Sequence, residues 1–241
     1  MLEEKYIEYY DKDILLEGYY ADCNAANKKP AILVAHDWSG RNAFAMQKAK
    51  ALAELGYVGF ALDMYGKGIL GQSKEEKSSL IQPFMQDRQA LQQRILAAFE
   101  AVKQLPGVDA TRIAAIGFCF GGLCVLDLAR SGADVRGVVS FHGLLQAPHD
   151  VAQPPIKAAI LALHGFLDPM ATPEQAVAFG NEMTQREADW QLHAYGNTLH
   201  AFTNPEANDP SFGTVYNKKS DHRSWQAMQS FLAERCSHLR N

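Results

Sequence analysis

The chain has 241 residues, 47% of them hydrophobic, which is enough to bury a sizeable core, and α/β chains of this length usually form one domain. With 23 basic and 27 acidic residues, a net charge of −4 and no long run of either sign, it offers no electrostatic footprint for nucleic acid or an anionic membrane. Its four cysteines form no CxxC pair, which argues against a disulfide framework and against a zinc site. We therefore expect a single domain over residues 1–241 with no metal or other cofactor, no nucleic-acid partner and no membrane partner.

The charged start Met1-Leu2-Glu3-Glu4-Lys5 is followed by no apolar stretch, so neither a signal nor a transit peptide is read there and a cytoplasmic location is expected. Tyr6 to Tyr10 and Leu15 to Tyr20, rich in aromatic and β-branched residues around Asp11-Lys12-Asp13, predict a hairpin at a sheet edge. From Ala31 the pattern changes to short, almost wholly apolar runs: Ala31 to Ala35, Tyr57 to Leu62, Ile113 to Ile116, Gly137 to Phe141 and Ala159 to Leu163. Such runs alternate with helical periods over about Ala43 to Leu55, Met85 to Gln104, Gly122 to Arg130, Pro173 to Glu187 and Arg223 to Leu239. That alternation predicts an α/β fold, a mostly parallel twisted sheet with helices on both faces. Trp190 to Tyr195 is read as a further strand, and Tyr65 to Gln82 and Gly196 to Asp221 as long surface loops.

The strongest chemical signal is Gly117-Phe118-Cys119-Phe120-Gly121-Gly122, between a strand and a helix. It has the form of a G-x-nucleophile-x-G elbow with cysteine in the nucleophile's place. The turn is strained and crowded, which explains its glycines, and the helix start it creates favours a thiolate through its free N–H groups and dipole. A bare G-x-C-x-G also suits a buried cysteine that merely packs a glycine-rich turn, so chain order has to add weight. It does, because in α/β-hydrolases the acid and then the histidine follow the nucleophile, each in a loop at the carboxyl end of a strand. Asp168, in His164-Gly165-Phe166-Leu167-Asp168-Pro169, and His200, in Leu199-His200-Ala201-Phe202, occupy those places. Taken singly, Asp168 reads equally as a turn residue before a helix, and His200 as an exposed loop histidine. His36, His142 and His164 fall at strand ends near the same edge, without the HxH, HExxH or carboxylate-paired spacings of metal ligands.

These residues, with Leu62-Asp63-Met64-Tyr65-Gly66 and His200-Ala201-Phe202, resemble the dienelactone hydrolase family over about Ala31 to Leu232. The resemblance implies an α/β-hydrolase sheet of about eight strands. It also implies a metal-free hydrolase of a small lactone, ester or thioester with a Cys119-His200-Asp168 triad and an acyl-enzyme. It implies a monomer, with a homodimer left open. By the same resemblance, the amides of Trp38 and Phe120 form the oxyanion hole, and Asp37 stands where the family carries a glutamate that holds the resting thiol. Asn204 stands where the family has a carboxylate-binding arginine, and Arg88 is the candidate for a second such arginine. An acyltransferase on the same fold, and a non-catalytic ligand-binding or redox-sensing protein with a reactive Cys119, are the alternatives.

Overall fold

The computed structural model describes residues 1–23, 27–149 and 151–236. The chain opens with an antiparallel hairpin, β1 (Glu3–Asp11) and β2 (Ile14–Asp22), turned at Lys12 in the left-handed region with φ 53°. There follow β3 (Lys29–Ala35), α1 (Ala43–Glu54), β4 (Val58–Ala61), α2 (Lys74–Gln86), α3 (Arg88–Lys103), β5 (Val108–Phe118) and α4 (Phe120–Arg130). The remainder is β6 (Gly137–Phe141), β7 (Ala159–Gly165), α5 (Pro173–Gln185), β8 (Trp190–Tyr195), β9 (Asn208–Asp209), β10 (Thr214–Val215) and α6 (Lys218–Arg235).

Eight strands form one sheet in the order β1-β2-β4-β3-β5-β6-β7-β8, antiparallel at the β1-β2 and β2-β4 pairs and parallel from β4 onward. The expected edge hairpin and parallel body are therefore both present. Side chains alternate across the strands as the pleat requires. In β3, Ala31, Leu33 and Ala35 face the layer of α3 and α4, whereas Ile32 and Val34 face α1 and α6. Each fully buried Leu, Ile or Val contributes about 1.5–3 kcal/mol and an alanine less, which is why runs apolar at every position mark strands covered on both faces.

Three expectations need correction. Residues 65–82 are not one loop, because α2 starts at Lys74, its first turn closed by a reciprocal capping box between Ser73 and Glu76. That helix fully buries only Phe84, with Leu80, Ile81 and Met85 half-buried beside it, so its apolar face occupies just its second half, although Ser73-Lys74-Glu75-Glu76 was a readable start signal. The helix predicted from Met85 begins at Arg88, because Asp87 caps it by accepting from the Ala90 amide. Finally, residues 196–221 hold the small antiparallel pair β9-β10 and the start of α6, capped by Asn217, five residues before the predicted Arg223. The predicted end of that helix at Leu239 lies outside the described residues.

A largely buried ionic chain links helices α3, α4 and α5. Arg88 grips the wholly buried Asp127 of α4 through Nε and Nη2, both at 2.7 Å, and Arg130 joins Asp127 at 3.2 Å to Glu182 of α5 at 2.6 Å. Arg130 also donates to the Leu145 carbonyl at 2.9 Å, so the chain anchors the segment after β6. No helix among the described residues is long and apolar enough to cross a membrane.

Candidate active site

The carboxyl ends of β3, β5, β7 and β8 deliver the candidate residues to one sheet edge, where open α/β sheets bind ligands. At β5 the chain turns sharply into α4, and Cys119 sits at the turn with φ 57° and ψ −116°, a backbone conformation costing on the order of 1–3 kcal/mol for a residue with a Cβ. Close packing enforces it. A Cβ on Gly117 would lie 2.0 Å from the Gly121 carbonyl oxygen, and one on Gly121 would lie 2.1 Å from the Ala35 carbonyl oxygen. Only glycine at both places lets α4 begin directly against β3 and β5.

Asp168, on the turn after β7, uses both carboxylate oxygens. Its Oδ1 accepts from the amides of Met170 at 2.8 Å and Ala171 at 3.3 Å, and its Oδ2 lies 2.7 Å from His200 Nδ1. The turn role and the histidine contact thus coexist, the first rigidifying the carboxylate for the second. The His200 backbone is clamped from both sides, its amide donating to Gly213 O at 3.0 Å and its carbonyl accepting from the Val215 amide at 3.1 Å. The β9-β10 segment therefore positions the histidine, a role invisible when the region is read as a loop.

Burial alone would favour a neutral His200 ring, but the negative charge of a Cys119 thiolate and the Asp168 carboxylate outweigh it and push its pKa up to about 10. His200 Nε2 is itself buried and has no aligned hydrogen-bond partner among the described residues. The Cys119 sulfur nonetheless acts on the ring both through its charge and as a looser hydrogen-bond neighbour, each raising the His200 pKa.

The other histidines separate into individual roles. His36 bonds Asp37 O and the Met64 amide, and burial holds its pKa low. His142 bonds Thr203 Oγ1 at 2.8 Å and packs edge-on to His200 with ring centroids 5.1 Å apart. Burial, and then the charge of His200, push its pKa well below the usual value, so it stays neutral beside the charged ring. His164 is buried with both ring nitrogens unpartnered among the described residues.

Cys119, His200, Asp37, Trp38, Phe120 and Asn204 all line one cleft of about 660 Å³. Asp37 Oδ1 accepts from the Ser39 amide at 2.7 Å, closing its own turn. Trp38 stacks on Phe212 at 5.6 Å, and both rings line the cleft. Arg88 is not brought to this cleft. Its guanidinium is consumed by Asp127 and the Gln146 carbonyl, and it lines a separate surface depression, so its candidacy as a substrate-binding residue does not stand. The cations that do line the cleft come from the unforeseen α2. Lys74 is paired with Asp209 at 2.7 Å, whereas Lys77 lies 5.7 Å over the Trp38 ring and has no carboxylate partner among the described residues.

The sheet order and the nucleophile-elbow geometry define an α/β-hydrolase fold. A family model described as the dienelactone hydrolase family matches residues 16–236, and the chain belongs to that family, which makes it a hydrolase of this type. Among solved structures it is similar to a dienelactone hydrolase-like promiscuous phosphotriesterase from metagenomic libraries, with 32% identity, TM-score 0.91, and 98% of this chain and 99% of that one covered. It is 37% identical over 150 residues to an uncharacterized protein of Caenorhabditis elegans, covering 60% of this chain and 93% of that one. It is also 28% identical over 195 residues to a protein of Bradyrhizobium sp named "Probable 2-oxo-3-(5-oxofuran-2-ylidene)propanoate lactonase", covering 77% and 78% of the two chains.

Proposed function

We propose that this chain, acting as one domain, hydrolyses a small lactone, carboxylic ester or thioester through Cys119, His200 and Asp168. The observation that carries the reading is the convergence, on one cleft, of a cysteine on a strained elbow and a buried histidine held by a buried aspartate. The Cys119 thiolate attacks the carbonyl carbon, and the carbonyl electron pair moves onto oxygen. The amides of Trp38 and Phe120 stabilise that oxyanion, Phe120 offering an N–H of the first helical turn, which has no intrahelical acceptor. Collapse expels the alkoxide or thiolate leaving group, which takes a proton from the His200 imidazolium and leaves a thioester on Cys119. The thioester carries no charge, so the largest influence raising the His200 pKa disappears. Burial then makes the ring a base that deprotonates water for attack on the thioester, and the thiolate is expelled again.

Most of the cleft wall is apolar, from Phe44, Ile81, Phe118, Leu144 and Met170, and besides the Lys74–Asp209 pair its charged lining is Lys77, Asp37 and Glu206. A compact substrate with an apolar body fits that wall, and Lys77 is the cation that would meet an anionic group on it; the Bradyrhizobium relative's name describes a lactone carrying a carboxylate. A single lysine supplies a point charge rather than a bidentate fork, so selectivity for the anion should be modest.

The test is intact-protein mass spectrometry after brief exposure to neutral and anionic p-nitrophenyl esters, thioesters and one phosphotriester. A mass increase equal to the acyl group, mapped to Cys119 and decaying with product release, is expected. Release without any adduct under single-turnover conditions would argue against a covalent route.

A pH measurement checks the charge switch. Because the folded pKa of His200 is raised above its ordinary value of 6.5, its ionic contribution to stability is complete below about pH 6.5 and lost as pH rises through about 10. By NMR the His200 ring should titrate near pH 10 in the free enzyme and distinctly lower in Cys119→Ala. Identical titrations in the two proteins would contradict a thiolate–imidazolium pair.

A further inference from the structure

Two buried side chains that the mechanism above does not use hold Trp38 by the peptide groups on either side of it. The peptide joining Asp37 to Trp38 carries the Asp37 carbonyl on one edge and the Trp38 N–H on the other. Because that unit is planar, fixing the carbonyl fixes the direction of the N–H. His36, wholly buried, has Nε2 3.1 Å from the Met64 amide nitrogen and Nδ1 2.6 Å from the Asp37 carbonyl oxygen. A backbone amide can only donate, so Nε2 accepts, the ring proton resides on Nδ1, and Nδ1–H donates to the Asp37 carbonyl. That bond both orients the peptide and polarises its N–H.

The next peptide is held by a different group. The Tyr65 hydroxyl donates to the Trp38 carbonyl at 3.0 Å, while the Tyr65 ring stacks on Phe120 at 6.0 Å and 20° and packs 4.8 Å from the His36 ring. One ring therefore touches the residue supplying the second amide while its hydroxyl holds the residue supplying the first. Both braces are rooted in the segment that follows β4, at Met64 and Tyr65, and so tie the loop after β3 to its neighbouring strand.

We propose that His36 and Tyr65 are positioning residues that aim the Trp38 amide at the developing oxyanion. The inference rests on the cysteine-hydrolase reading above and adds to it the parts that set the geometry of its oxyanion site. Neither side chain touches the reacting atoms. Their effect is confined to a charge that exists only in the transition state.

The decisive variant is Tyr65→Phe, which keeps the ring packing and deletes one hydroxyl. With an ester that the enzyme turns over, kcat and kcat/KM should fall together, roughly tenfold, leaving KM unchanged. That is a fraction of the 10²–10³ typical when an oxyanion donor is lost outright. Alkylation of Cys119 by iodoacetamide is the control, because displacement at a saturated carbon needs the thiolate but develops no oxyanion. Its rate should stay within about twofold of the parent protein. His36→Gln, checked for a folded melting transition, should show the same split. An unchanged kcat in Tyr65→Phe, or alkylation and turnover falling in parallel, would overturn the proposal. Turnover surviving in Cys119→Ala would instead overturn the underlying reading, so the two failures are distinguishable.

Discussion

Cys119→Ala should reduce ester turnover by roughly 10⁴–10⁶-fold, the scale seen when a nucleophile is removed from an otherwise intact site. Its melting temperature should stay close to that of the parent. The elbow conformation at φ 57° is imposed by the packing of Gly117 and Gly121, and alanine bears the same Cβ strain as cysteine. The substitution therefore removes the sulfur while leaving the fold's geometry as it was. Its complement, Cys119→Gly, should be equally inactive and more stable by about 1 kcal/mol, because glycine adopts a positive φ without penalty. Initial rates on the best ester, together with thermal melts, check both. Full activity in Cys119→Ala would require another nucleophile, and Ser140 is badly placed for it, since its Oγ is buried and hemmed in by Gly122 and Gly143.

Gly121→Ala should be among the most damaging single substitutions in the molecule. Its Cβ would lie 2.1 Å from the Ala35 carbonyl oxygen, 2.5 Å from the carbonyl carbon and 2.5 Å from the His36 carbonyl oxygen. All three atoms are backbone, so no rotamer change relieves the clash, and α4 must separate from β3. Overpacking of a core usually costs about 1–3 kcal/mol. Here the displaced elements include the elbow and the loop carrying Trp38, so a loss above that range is expected, against a total stability of about 5–15 kcal/mol. Urea unfolding should show a large drop in midpoint or an insoluble product. Gly196→Ala is the control, because a Cβ there would meet no atom within 4 Å and its φ is unexceptional. A change within about 0.5 kcal/mol is expected for it. A Gly121→Ala protein as stable as that control would mean that the elbow does not need this close approach.

The parallel body of the sheet was legible because a strand covered on both faces must be apolar at every position, and the buried runs of β3, β5, β6 and β7 nearly all are. Helix α2 escaped because its first half is polar and exposed and its apolar face, Leu80, Ile81, Phe84 and Met85, is confined to the second half, which leaves the capping pair Ser73 and Glu76 as the signal of its start. The β9-β10 pair, two residues per strand, is too short for any period to register.

For the candidate site, the sequence by itself determined what short-range chemistry can specify. The glycines around Cys119 demand a tight turn, and the placement of Asp168 and His200 after successive strands sends them toward the edge where that turn emerges. Tertiary structure alone decided what depends on groups far apart in the chain. Arg88 could be read as a substrate clamp until Asp127, 39 residues away, is found to hold it, and Lys77 came to the cleft only because α2 folds across it. The tautomer of His36 and the hold of Tyr65 on Trp38 belong to the same class. Turn geometry is written in neighbouring residues, whereas the partner of a buried charge or ring nitrogen is whichever distant group the folded chain brings within about 3 Å.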